Sequence, residues 1–118
     1  MRPLIHPALD DISLESIFHA LSDPARLDIF MELVRAECPK TCSSLACTGD
    51  KTLPKSTLSQ HFRILREAGL IRSVRVGVTM ENKIRAEELN KKFGSLLETI
   101  VEAYVSTHKP KPRAKKRR

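Results

Sequence analysis

This sequence predicts a mainly α-helical domain that carries one small β-hairpin. Three observations point there. Apolar residues recur at three- and four-residue spacing over most of the chain between Leu14 and Val105. That period breaks at "LIRSVRVGVTMENKI", where β-rich runs flank Gly77. Finally, 41% of the residues are hydrophobic but only 4% are aromatic, with no Trp, so the core must be built from Leu, Ile, Val and Ala. Such side chains suit packed helices better than a sandwich. At 118 residues the chain is long enough for one domain with a single core.

The elements follow in order. Residues 1–12, with Pro3 and Pro7 and little periodicity, read as an N-terminal arm that leans on the body. Ser13 is placed to cap a first helix whose Leu14, Ile17, Phe18 and Leu21 recur at helical spacing. In "SDPARLDIFMELVRAE", Asp23 can cap and Pro24 fits the first helical position, where a missing N–H is no loss. Leu27, Ile29, Phe30, Leu33 and Val34 give this second helix a broad buried face, and Pro39 stops it. "CPKTCSSLACTGDKTLP" is punctuated by Ser, Thr, Gly and Pro, which predicts a brief helix near residues 43–48 and then a turn. The next helix begins near Pro54 or Lys55, packs through Leu58, Phe62 and Leu65, and ends at Gly69, a C-cap glycine. After the hairpin, one long helix from Ala86 to about Val105 carries Leu89, Phe93, Leu96, Leu97, Ile100, Val101, Tyr104 and Val105. The domain proper is thus expected over 13–105. Residues 106–118 alternate proline with charge, cannot bury anything, and are expected to form a disordered basic tail. Crossing helices followed by a hairpin describe a winged helix-turn-helix, whose second crossing helix enters the major groove while the hairpin reaches the flanking backbone.

Charge is distributed unevenly. The formal net charge is +7, yet seven of the 21 basic residues lie in the last ten, which leaves 14 basic against 14 acidic residues in the body. Within that neutral body, Lys55 to Arg85 holds seven basic residues against Glu67 and Glu81. A neutral protein with one positive segment and a positive tail has a side suited to a polyanion.

The helix that opens this segment is dense in short polar side chains. Lys55, Ser56, Thr57, Ser59, Gln60, His61 and Arg63 separate by helical angle from Leu58, Phe62 and Leu65. Gln60 can pair bidentately with adenine, Arg63 or Lys55 can address guanine or phosphate, and serines suit either. Capping explains one or two hydroxyls, Ser56 and Thr57, but not the polar residues that follow. His61 sits beside Phe62 and also reads as a partly buried histidine.

"ALSDPARLDIF", then "STLSQHFRILREAGLI", then an Arg-bearing hairpin resembles the ArsR family of bacterial winged-helix repressors over roughly residues 13–105. The resemblance implies a homodimer whose first and last helices form the interface. It also implies a double-stranded, pseudo-palindromic DNA operator read by two recognition helices. It places Lys55, Ser56, Thr57, Ser59, Gln60 and Arg63 at base- or phosphate-contacting positions, and Arg72, Arg75 and Lys83 on the wing.

The residues support a dimer in their own right, because a terminal helix with so broad an apolar face needs a second surface to cover it. Its candidate interface comprises Leu14, Ile17 and Phe18 from the first helix, with Leu89, Phe93, Leu96, Leu97, Ile100 and Tyr104 from the last. Cys38, Cys42 and Cys47 form an odd set that does not suit a secreted disulfide framework. For them three readings stay open: inert thiols, a reversible disulfide, or ligands to a soft metal ion. No cofactor is required by the sequence. It shows no paired carboxylates, nucleophile–base pair or glycine-rich phosphate loop, so an enzyme is not expected. It has no apolar run long enough to span a bilayer, and a cytoplasmic protein is expected. The reading from another class is a protein-interaction module that keeps the fold and uses the long apolar helix for a different partner.

Overall fold

A computed structural model describes residues 4–35, 40–41 and 54–108 of the chain. A 3-10 turn, Leu9–Asp11, leads into α1 (Leu14–Leu21) and α2 (Pro24–Arg35). Then come β1 (Lys40–Thr41), α3 (Lys55–Glu67), β2 (Ile71–Val76), β3 (Thr79–Ile84), α4 (Ala86–Phe93) and α5 (Leu96–Thr107). The brief helix expected near 43–48, the three cysteines and the tail beyond His108 lie outside the described residues.

The first two helices start as their sequences dictate. Ser13 Oγ accepts the Ser16 N–H at 3.1 Å, and Asp23 Oδ1 accepts the N–H groups of Ala25 and Arg26 at 2.8 and 3.1 Å. Each side chain satisfies donors that have no partner within the helix. Burial opposes ionisation of Asp23, but the Arg26 N–H, the Arg26 charge and the Ala25 N–H outweigh it and hold the carboxyl below its usual 3.8.

At its other end α3 closes in a Schellman motif. Gly69 N–H bonds the Arg66 carbonyl at 3.0 Å and Leu70 N–H bonds the Leu65 carbonyl at 3.1 Å, with Gly69 at φ +89°. Ile12 packs so closely over Gly69 that a Cβ there would overlap its side chain. The arm, α3 and the first strand of the hairpin therefore converge on one glycine.

β3 is the central strand, with β2 antiparallel on one side from Ile71↔Ile84 to Val76↔Thr79, and β1 on the other through Lys40↔Asn82 and Thr41↔Glu81. The hairpin was expected; the third strand was not, since two residues beside Pro39 give no alternating pattern to read. An isolated hairpin is marginal in water, and both the added strand and the helices support this one. Ile17, Ile29, Phe30, Phe62, Leu65, Leu70, Ile71 and Leu89 are fully buried and join α1, α2, α3, the base of the hairpin and α4 in one core.

Two expectations need correction. The single helix from Ala86 to about Val105 is broken at Gly94 and Ser95. Gly94 takes φ +64° while its N–H bonds the Asn90 carbonyl at 3.0 Å, which turns the chain out of α4 before α5 begins. Apolar periodicity runs through the break and hides it. In addition, α5 continues through Ser106 and Thr107, which the sequence assigns to the tail; both hydroxyls bond the Ala103 carbonyl, at 3.1 and 2.8 Å.

Gly69→Ala should lower the unfolding free energy by roughly 1–3 kcal/mol, from left-handed strain plus displacement of Ile12. Urea denaturation of the variant against the parent chain checks this, and equal midpoints would contradict the placement of Ile12.

Candidate nucleic-acid interface

The side chains of α3 divide cleanly by burial. Leu58, Phe62 and Leu65 face the core, while Lys55, Ser56, Ser59, Gln60 and Arg63 are exposed and Thr57 is half-buried. The N-cap of α3 is Pro54, with no side-chain capping bond, so Ser56 and Thr57 do not cap this helix. Their hydroxyls lie inside its first turn, where N–H groups without intrahelical partners and the positive end of the dipole favour an anion. Among the described residues neither Lys55 nor Arg63 is held in an ion pair.

His61 is placed differently from its neighbours. It is 9% exposed, on the core side of α3, so it does not belong to the polar face that the sequence grouped it with. Arg26 reaches it from α2: Nη1 lies 3.4 Å from His61 Nδ1, and Nε donates to the Ala20 carbonyl at 2.7 Å. A guanidinium can only donate, so Nδ1 accepts and the ring is neutral with its proton on Nε2. Burial pulls the His61 pKa below 6.5, with Arg26 adding to the shift and Asp23 opposing it. The histidine is thus a strut between α3 and the α1–α2 corner.

On the hairpin, strand parity sorts the basic residues. Arg72 is registered with Lys83 and shares a face with Val74 and Glu81; Arg75 is registered with Met80 on the opposite face. The three wing cations named from the sequence therefore do not form one cluster. Arg72 Nη2 is bound to Glu88 Oε1 at 3.3 Å, and Arg85 holds the same carboxylate through Nε at 2.7 Å and Nη2 at 3.0 Å. The hydrogen bond from Arg85, reinforced by both guanidinium charges, brings Glu88 to a pKa of about 2. Arg66 and Arg85, which contribute to the positive segment in the sequence, are buried. Net charge cannot distinguish a structural arginine from a DNA-facing one.

At the centre of the hairpin Ser73 and Asn82 face each other, both buried. Ser73 Oγ donates to Asn82 Oδ1 at 2.6 Å and lies 3.4 Å from Arg66 Nε of α3. The backbone N–H of Ser73 points away from β3, along the open edge of β2, where His6 Nε2 accepts it at 3.0 Å. Beyond His6 the arm is fastened by Arg85 to the Pro7 carbonyl at 2.9 Å. Lys92 Nζ adds bonds to the carbonyls of Leu9, Asp10 and Ile12 at 2.9, 3.2 and 2.6 Å. His6, Arg26, Ser73, Asn82 and Lys92 escaped the sequence reading, because each acts through a partner distant in the chain. The element order alone could have suggested that an arm this close to a hairpin would need anchoring.

A helix-turn-helix domain model matches residues 21–74, the stretch from the end of α1 through α3 into β2. The HTH-type transcriptional regulator YceK of Bacillus subtilis (strain 168) is 34% identical over 92 residues, covering 77% of this chain and 89% of that protein. An ArsR-like transcriptional regulator from Rhodococcus sp. RHA1 is 31% identical, with a TM-score of 0.55 over 80% of this chain and 91% of its own. The chain belongs to the ArsR family. A crystal structure of an ArsR family transcriptional regulator agrees, at 30% identity and TM-score 0.58, over 73% of this chain and 90% of the other. As an ArsR-family winged helix-turn-helix protein, it is a DNA-binding transcriptional regulator.

The apolar residues named for an ArsR-type dimer interface also divide. Ile17, Leu89 and Leu97 are buried within their own chain and cannot meet a partner, since the 3.6-residue period turns them inward. Leu14 and Phe18 on α1 are exposed, Phe18 at 53%, and Val105 on α5 is exposed as well. Phe93, Leu96, Ile100 and Tyr104 are half-buried against the core. Tyr104 donates to Asp28 Oδ1 at 2.7 Å, so its hydroxyl is engaged by α2. No helix among the described residues is long and apolar enough to cross a membrane.

The neutral state of His61 sets a pH dependence. Its folded pKa lies below 6.5, so the unfolded chain takes up a proton that the folded chain refuses. This contribution to stability is complete above 6.5 and is lost as the pH falls from there through the depressed folded value. Urea-unfolding free energies should decline below about pH 6.5, and His61→Gln should decline less steeply.

Proposed function

We propose that the chain is a homodimeric, sequence-specific repressor whose two α3 helices read successive major grooves of one operator and occlude a promoter. The observation that carries this reading is the exposed row Ser56, Ser59, Gln60 and Arg63, continuous with Lys55, on a helix whose other side is locked into the core. A rigid helix presenting a bidentate amide, a guanidinium and hydroxyls has the donors and acceptors that major-groove base edges require. Lys55, the α3 N-terminus and the basic residues of the hairpin supply phosphate contacts that set orientation without reading sequence. Repression follows from position, because a dimer spanning two groove turns excludes other proteins from the DNA it covers. Exposed Leu14, Phe18 and Val105 support the dimer, since a second copy can remove them from water.

Gel-shift titration with DNA from upstream of the protein's own gene tests the recognition face. Gln60→Ala and Arg63→Ala should each weaken specific binding by about 1–3 kcal/mol while leaving thermal stability unchanged. Parental affinity in both variants would remove α3 from base readout.

The dimer is tested separately, by sedimentation equilibrium of Phe18→Asp. This substitution at an exposed position should yield a folded monomer with roughly tenfold or greater loss of operator affinity, as two linked reading heads become one. A dimer as tight as the parent's would rule out α1 as part of the interface.

A further inference from the structure

The bond between His6 and Ser73 has a chemical polarity that the rest of the arm lacks. Nε2 can accept the Ser73 N–H only while it carries no proton, because an imidazolium has two donors and no acceptor. The other arm contacts run from the permanently charged Arg85 and from Lys92 to backbone carbonyls, and protonation of histidine does not touch them. One bond in the anchorage therefore titrates while its neighbours stay fixed.

The position of that bond matters as much as its chemistry. Ser73 lies on β2, the edge strand of the sheet, two residues before Arg75 and three before the end of the strand. Among the described residues its N–H faces no other strand, and the imidazole takes the place that a further strand would fill. The same serine bonds Asn82 of β3 and meets Arg66 of α3. His6 thus holds the edge at the residue where the hairpin is tied to the recognition helix.

The charges acting on the ring come from each element packed around it: Arg72 from β2, Arg66 from α3, and Arg85 from the β3–α4 junction. Burial, and then these three guanidiniums, hold the His6 pKa below 6.5. Glu88 of α4 is bonded to Arg72 and Arg85, and its pKa of about 2 keeps it anionic wherever histidine titrates. Adding a proton to His6 removes an acceptor from Ser73 and places a fourth cation among three. Both effects push the ring off the strand.

We propose that His6 is a positioning residue for the wing: its neutral ring latches the open edge of β2, and protonation releases that edge and lowers the affinity for DNA. The coupling to DNA rests on the reading of the hairpin as DNA-facing.

The test uses the full chain as parent, His6→Gln and His6→Ala. Two quantities are followed between about pH 8 and about pH 5, the range over which histidine titrates. One is the hydrogen-exchange protection factor of the Ser73 amide, the other the Kd for upstream DNA. In the parent, Ser73 protection and affinity should both fall with pH. In His6→Gln, whose side-chain oxygen accepts without titrating, both should fall distinctly less. His6→Ala should show low Ser73 protection throughout, by about five- to tenfold, the loss of one hydrogen bond. His61, the other histidine whose pKa is lowered, is present in all three proteins, so differences between them report on His6 alone. A His6→Gln profile that tracks the parent in both readouts overturns the proposal, as does full Ser73 protection in His6→Ala. Ser73 protection that follows His6 while Kd does not overturns the coupling and shows a hairpin remote from DNA. A parent chain that binds no DNA at any pH overturns the coupling together with the regulator's operator reading.

Discussion

The hydrogen bond between Ser73 and Asn82 is the constraint on which the arrangement of the arm, α3 and the hairpin depends. It lies inside the sheet, where both polar groups would be costly without partners. Around it meet the arm through His6, α3 through Arg66, and the two strands that form the hairpin. Apolar packing at Ile71 and Ile84 holds the base of the hairpin on the core but does not by itself specify how the strand edge meets the arm. Directional bonds at Ser73 do, because they have one satisfied geometry rather than many similar ones.

Much of the architecture was legible in the sequence, for local reasons. The Ser13 and Asp23 caps, Pro24 at the first helical position, the Gly69 stop and the hairpin about Gly77 are all decided within a few residues. The family motif followed from the same segments. Features set by distant partners were not legible. The third strand depends on β3 being available 40 residues later, and the placement of His61 depends on Arg26 arriving from another helix. Gly94 was visible as a residue, but the apolar run through it gave a stronger signal than the glycine did. On the candidate site, the exposed face of α3 was readable from helical angle, whereas the division of Arg72 and Lys83 from Arg75 required the actual strand register.

Arginine serves two purposes in this chain, and burial separates them. Arg26, Arg66 and Arg85 are internal, where a planar guanidinium can satisfy several acceptors at once and its charge persists at every accessible pH. Arg63, in contrast, extends from the exposed face of α3 into water. Burial first disfavours protonation of both His6 and His61, and the internal arginines add to it, Arg66 and Arg85 at His6 and Arg26 at His61, which keeps the two rings available as acceptors. Burial, aided by buried guanidiniums, thus keeps neutral the histidines that brace α3 and β2 from within.

The break at Gly94 gives the C-terminal pair of helices two separate moorings. α4 is moored to the arm through Lys92 and to the hairpin through Glu88, whereas α5 is moored to α2 through Tyr104 and Asp28. In mechanical terms the two residues between them are an elbow. A torque on α5 is carried first into α2, along the line Tyr104 to Asp28, and reaches the far side of α3 by way of Arg26 and His61. The joint has no continuous helical hydrogen-bond ladder across it, so α4 and α5 need not move as one rod. Strain entering at the C-terminal end therefore arrives at α3 and the hairpin from beneath, by way of α2, rather than along one unbroken helix.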